Sequence, residues 1–159
     1  MPIPEKYKSI RSRHDNLLRL AGYLESEVEW NIFNEFALAA YHLYEWVLND
    51  AATTPDIVRD VEALRNGLEL QACRDAANTY KHRKLTEKHK NHPPQTKETD
   101  VSQGLWGNGR FGKGGWGTGE EQITITMKDG TVFDGLDLSR RVVKLWDDFF
   151  NKHPNMFMK

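Results

Sequence analysis

Residues 31–50 read NIFNEFALAAYHLYEWVLND, and this stretch decides the fold. Ile32, Phe33, Phe36, Leu38, Tyr41, Leu43, Tyr44, Trp46, Val47 and Leu48 leave almost no side of the helical wheel polar, which predicts a helix with neighbours all round, the central member of a bundle. The polar remainder is ordered. At about 100° per residue, Asn31, Glu35, His42, Glu45 and Asn49 fall within roughly a quarter-turn of one another. That stripe is either the helix's solvent window or one wall of a polar site.

Working outward, residues 4–29 carry Ile10, Leu17, Ala21, Leu24 and Val28 at helical spacing, with His14 on the same stripe as a core histidine bonded to a neighbour. Beyond residue 50 the pattern breaks, and Thr54, Pro55 and Asp56 supply a cap, a first-turn proline and a first-turn acid for a helix over residues 55–85. Ile57, Val61, Leu64 and Leu68 fix its core-facing side, and the same line projected forward meets Gln71, Asp75, Asn78 and His82. Residues 91–120 turn rich in glycine and proline and predict an irregular loop. A hairpin is expected over residues 122–134, where Ile123, Ile125 and Met127 alternate with threonines and Asp129-Gly130 offers a primed turn. Asp137 is the expected N-cap of a last helix, residues 137–152, with Val142, Leu145, Trp146, Phe149 and Phe150 on its buried face. The predicted fold is mainly α: a single domain over residues 1–159, a four-helix bundle with a β-hairpin inserted before the last helix.

Composition narrows the function classes. A chain of 159 residues closes one core without staples. The net charge of -1 gives no global attraction to nucleic acid or membrane, so an anion site has to be local. The lone Cys73 cannot form an internal disulfide, and the longest apolar run, residues 36–41, is far short of the roughly 20 needed to span a bilayer. A cytoplasmic protein without membrane contact is expected.

The chemistry concentrates in residues 73–85, CRDAANTYKHRKL. Asp75, Asn78 and His82 stand three and four apart on one helix face, flanked by Arg74, Lys81 and Arg83. In a phosphate or nucleotide site His82 is the general acid or base, Asp75 or Asn78 orients its ring, and the cations neutralise the anion. In a structural network the same residues satisfy one another between helices. His42 and Glu45, one turn apart on the central helix, support the site, and Asp75, Asn78 and His42 are expected to converge. These residues could also form a mixed metal set with His82, but no second carboxylate-histidine pair accompanies them, and neither metal nor cofactor is expected.

Gly107, Gly109 and Gly112 match a dinucleotide fingerprint only in spacing, because no strand precedes them and no helix follows. The surrounding Trp106, Arg110, Phe111 and Trp116 suit base stacking with phosphate contact, or a linker whose aromatics pack back onto the domain. The run Lys81, Arg83, Lys84, Lys88 and Lys90 is either a solvated helix end or a patch beside His82.

The pattern D-x-x-N-x-x-K-H over residues 75–82, with His42, Leu43 and Trp46 upstream and a hairpin leading to an aromatic helix downstream, resembles small uncharacterised bacterial and phage proteins. More distantly, a helical bundle with arginine and histidine on one helix is similar to the HEPN superfamily, although seven residues separate Arg74 from His82, a wider step than the HEPN motif. That resemblance implies a metal-independent ribonuclease of toxin or phage-defence type, acting on RNA as a homodimer. The alternative is a non-enzymatic interaction protein whose polar stripe is structural and whose aromatic glycine-rich loop contacts a protein partner.

Overall fold

The computed structural model describes residues 2–81, 93–103 and 121–157. The element order is α1 (Ile10–Ser26), α2 (Trp30–Leu48), α3 (Pro55–Asn66), α4 (Leu68–Lys81), β1 (Thr96–Gln103), β2 (Glu121–Met127), β3 (Val132–Asp134) and α5 (Gly135–Lys152), with short 3-10 turns at Glu5–Tyr7 and Pro154–Phe157. The mainly helical class with a β insertion is as the sequence predicts. No helix among the described residues is long and apolar enough to cross a membrane.

Local chemistry sets the helix starts. Ser9 accepts from the Ser12 N–H at 3.1 Å, so α1 begins at Ile10 and not near residue 4. Thr54 caps α3 as predicted, accepting from the Ile57 N–H at 3.4 Å, with Pro55 in the first turn. α2 has no cap of its own; its Trp30 N–H donates 2.6 Å to the Glu121 carboxylate of β2, which ties the helix to the sheet. Phe33, Phe36, Ala37, Ala40, Leu43 and Val47 of α2 are buried, while Asn31, Glu35, His42, Glu45 and Asn49 are exposed. The polar stripe of the central helix is its solvent window.

Three expectations need correction. The helix expected over residues 55–85 breaks at Gly67, which is extended (φ -69°, ψ 156°) and closes α3 through its N–H to Leu64 O at 3.2 Å. Glycine is the weakest helix former after proline, and the Gln71 side chain holds the freed Arg65 carbonyl at 2.7 Å. The break resets the helical phase, so the stripe cannot be projected across it. On α4 the apolar face is Leu70, Cys73 and Ala76, and Asp75 lies on another flank.

The second correction concerns residues 91–120, expected to be irregular. Thr96–Gln103 is a strand, pairing antiparallel with β2 so that Thr99 meets Ile125 and Val101 meets Ile123, in the sheet order β1-β2-β3. Its sequence, TKETDVSQ, hides this because it is a charged edge strand with little apolar side to display. The predicted hairpin is therefore part of a three-stranded sheet. Its turn spans three residues, 128–130, and only Gly130 takes a positive φ (94°), which makes a type I turn with a glycine bulge where a primed turn was expected.

The third correction moves the last cap. Asp134, not Asp137, accepts the Leu136 and Asp137 N–H groups at 3.1 Å each. Gly135 is required there: a Cβ would meet Ile123 Cβ at 2.8 Å. α5 then buries Leu138, Val142, Trp146, Phe149 and Phe150, and its Trp146 indole donates to Ala40 O at 3.1 Å. One core joins these residues to Leu17, Leu24, Phe33, Phe36, Leu70, Ile123, Ile125 and Met127.

Candidate functional site

α4 turns its flank toward the chain that returns at residue 93, and there the sequence-predicted polar residues meet real partners. Asp75 is 1% exposed and Arg74 8%. Asp75 Oδ1 accepts from Arg74 Nε–H at 3.1 Å and Nη2–H at 3.0 Å. Its Oδ2 accepts the backbone N–H groups of Gln95 and Thr96, both at 2.8 Å. Arg74 Nη2 donates once more, to the Pro93 carbonyl at 2.9 Å. The pair thus clamps the start of β1 onto α4. A buried ion pair of this kind has to satisfy its remaining lone pairs and protons: the Gln95 and Thr96 N–H groups fill the Asp75 carboxylate, and the Pro93 carbonyl takes a third proton of the guanidinium.

The other sequence-predicted residues lie elsewhere. Asn78 is exposed on α4, and its side chain makes no hydrogen bond to the described residues. His42 is exposed on α2, with Nδ1 at 3.4 Å from Glu45 Oε2. The expected convergence of His42 with Asp75 and Asn78 does not appear in their bonding: His42 meets Glu45, Asp75 is enclosed by Arg74, Gln95 and Thr96, and α2 reaches α4 through Asn34, at the edge of its polar stripe. The Asn34 amide, oriented to satisfy both neighbours, donates to Ala76 O at 3.1 Å and accepts from the Trp30 indole at 2.9 Å. Lys81 ends α4, and its side chain lies outside the described residues. His82, Arg83, Trp106, Arg110, Phe111 and Trp116 lie outside the described residues altogether. His14 is the core histidine its position predicts, with Nε2 at 2.9 Å from Asp147 Oδ1 and its ring against Phe150 and Phe157.

Electrostatics follow from this packing. Burial pushes the Cys73 thiol far above its ordinary value, with Glu69 adding to the shift. Tyr41 is pushed up to about 12 by burial and by Tyr44 beside it, against the opposing pull of Arg74 and Arg65. Among the described residues no group of three His, Cys, Asp or Glu side chains is arranged to hold a metal ion.

The sequence reading missed the partners of Asp75, because Pro93, Gln95 and Thr96 act through backbone groups that leave no side-chain signature. It also missed Asn34, which the wheel sets about 20° from Glu45, so that it reads as part of the polar stripe although it is buried and bonded to α4. Comparison of the chain with protein-family models, with curated proteins and with solved structures returned no match.

Proposed function

We propose that this chain is a non-enzymatic interaction protein in which the polar flank of α4 is architectural. One observation carries the reading: the Asp75 carboxylate has about four lone-pair sites and receives four N–H bonds. It has no acceptor left with which to orient a histidine or take a proton from a substrate. Arg74, in turn, spends its charge on Asp75 and has no free fork for a phosphate. The contact surface for a protein partner is then sought outside α4, in the aromatic segment containing Trp106, Arg110, Phe111 and Trp116.

A cleavage assay on mixed RNA, run beside thermal melts, tests this. The wild type is expected to leave RNA intact. Asp75→Asn is expected to lower the melting temperature by about 10 °C, because losing one partner of a buried pair costs about 3 to 5 kcal/mol and each kcal/mol shifts a chain of this size by roughly 2 to 4 °C. Cleavage by the wild type that His82→Ala abolishes at an unchanged melting temperature would replace this reading with the metal-independent ribonuclease.

A further inference from the structure

A groove of about 400 Å3 runs between α1 and α2, away from the Arg74–Asp75 clamp and independent of the function proposed above. Its apolar lining is Leu20, Leu38, Ala39 and Leu43. Leu38 is 48% exposed, so solvent reaches an apolar strip here. At one end Arg13 lays its guanidinium over the Trp46 ring, 4.4 Å from the centroid. At the other end stands Glu35, eleven residues from Trp46 on α2, about 16 Å at a rise of 1.5 Å per residue.

Arg13 is one of several cations, with Arg11, Arg19 and Arg141, that meet no carboxylate among the described residues, and it differs from the paired ones. Arg59, Arg65, Arg140, Lys144 and Lys152 each meet a carboxylate within 3.3 Å. Arg13 meets none among the described residues, and its Nε is shut off from solvent without an acceptor. That Nε is closed to a groove ligand as it is to water, so an anion in the groove has to be met by the terminal Nη groups. Arg19 lines the same groove and also meets no carboxylate among the described residues; it donates to Asn16 Oδ1 at 2.6 Å and more weakly to the Tyr23 hydroxyl at 3.4 Å. His42, the remaining titratable group on the lining, faces its own partner Glu45.

We propose that this groove is a binding site for a small organic anion with a flat apolar body, an aryl carboxylate, sulfonate or phosphate. The anion takes the Arg13 end, where the guanidinium 4.4 Å from the Trp46 ring offers its terminal Nη groups, and Arg19, six residues further along α1, adds charge from the wall of the groove. The ring covers the strip of Leu20, Leu38, Ala39 and Leu43. Glu35 repels a second anionic group at the far end, which selects a ligand charged at one end only. The volume suits such a molecule, since small-ligand sites run from about 300 to 1,000 Å3.

Fluorescence titration with 8-anilinonaphthalene-1-sulfonate, an anionic aryl probe, tests the site on the whole folded chain. The wild type is expected to saturate at one probe per chain. Phenyl phosphate is expected to displace the probe at least tenfold more effectively than inorganic phosphate. Arg13→Gln is expected to weaken probe binding at least tenfold, and Arg59→Gln, at an exposed ion pair on α3, to leave it unchanged. Leu38→Glu provides a variant that cannot disturb the core, because its side chain is already half in water; it is expected to weaken binding by a similar factor. Far-UV circular dichroism of each variant verifies that the fold is kept. The proposal is overturned if the wild type shows no saturable binding, if Arg13→Gln and Arg59→Gln bind alike, or if Leu38→Glu binds as the wild type does. Equal displacement by inorganic phosphate would also overturn it, by reducing the site to a simple anion hole.

Discussion

Cys73 has no exposed surface and sits on the apolar face of α4 between Leu70 and Ala76. The thiolate is the reactive form of cysteine, and burial holds the Cys73 thiol protonated well beyond its ordinary range. In the native protein Cys73 is therefore expected to resist Ellman's reagent at pH 8 and to react fully once urea unfolds the chain. Rapid labelling of the native protein would show that α4 opens easily. Asp60 responds in the opposite sense. Lys152 at 2.7 Å and His153 at 2.8 Å hold its carboxyl well below the usual carboxylate range. A depressed folded value means that this residue's contribution to stability is present above the unfolded value of about 4 and is lost as pH falls below it. Melting temperatures measured from pH 5 down to pH 2 are expected to fall more steeply for the wild type than for Asp60→Asn. Parallel curves would show that the bridge between α3 and the end of α5 contributes nothing.

At the scale of elements, the α5 start separates two aspartates three residues apart. Asp134 holds two backbone N–H groups, whereas Asp137 lies in the first turn, where its carboxylate only complements the helix dipole and approaches Arg140 at 3.5 Å. Asp134→Ala is expected to cost about 1 kcal/mol in chemical denaturation and Asp137→Ala clearly less. Equal losses would make the cap irrelevant. Both aspartates were visible in the sequence, but choosing between them required knowing that Gly135 presses against Ile123, a contact made across the sheet. The long amphipathic helices were legible because their periodicity is local, although of the ten large residues its wheel named α2 fully buries Phe33, Phe36, Leu43 and Val47 and leaves Leu38 48% exposed. β1 was not, because a polar edge strand owes its existence to β2 and to the Asp75 clamp, both distant in sequence. Asp75 itself was legible as a polar residue needing partners. Which partners it finds depends on the chain returning after residue 92, and no spacing on α4 encodes that return.

Across the whole molecule, the sheet does not form an appendage on a helical bundle. Ile123, Ile125 and Met127 of β2 are as buried as Phe33 and Phe36 of α2, and Trp146 of α5 belongs to the same core. The sheet is tied to the helices by polar links as well: Glu121 to Trp30, Asp75 to Gln95 and Thr96, and the Glu121 N–H to Val28 O at 3.1 Å. A structure linked in this way has no line along which helices and strands can separate without exposing apolar surface, so unfolding is expected to be two-state. Trp146 is the residue on which this is best tested, being fully buried and bonded through its indole to Ala40 of α2. Trp146→Ala is expected to cost about 3 to 5 kcal/mol, from lost burial and the cavity left behind. In that variant, as in the wild type, the helical signal in far-UV circular dichroism and the amide protection of Ile123 and Ile125 should be lost at the same denaturant concentration. Strand amides that exchange freely while the helical signal persists would divide the chain into two units and count against a shared core.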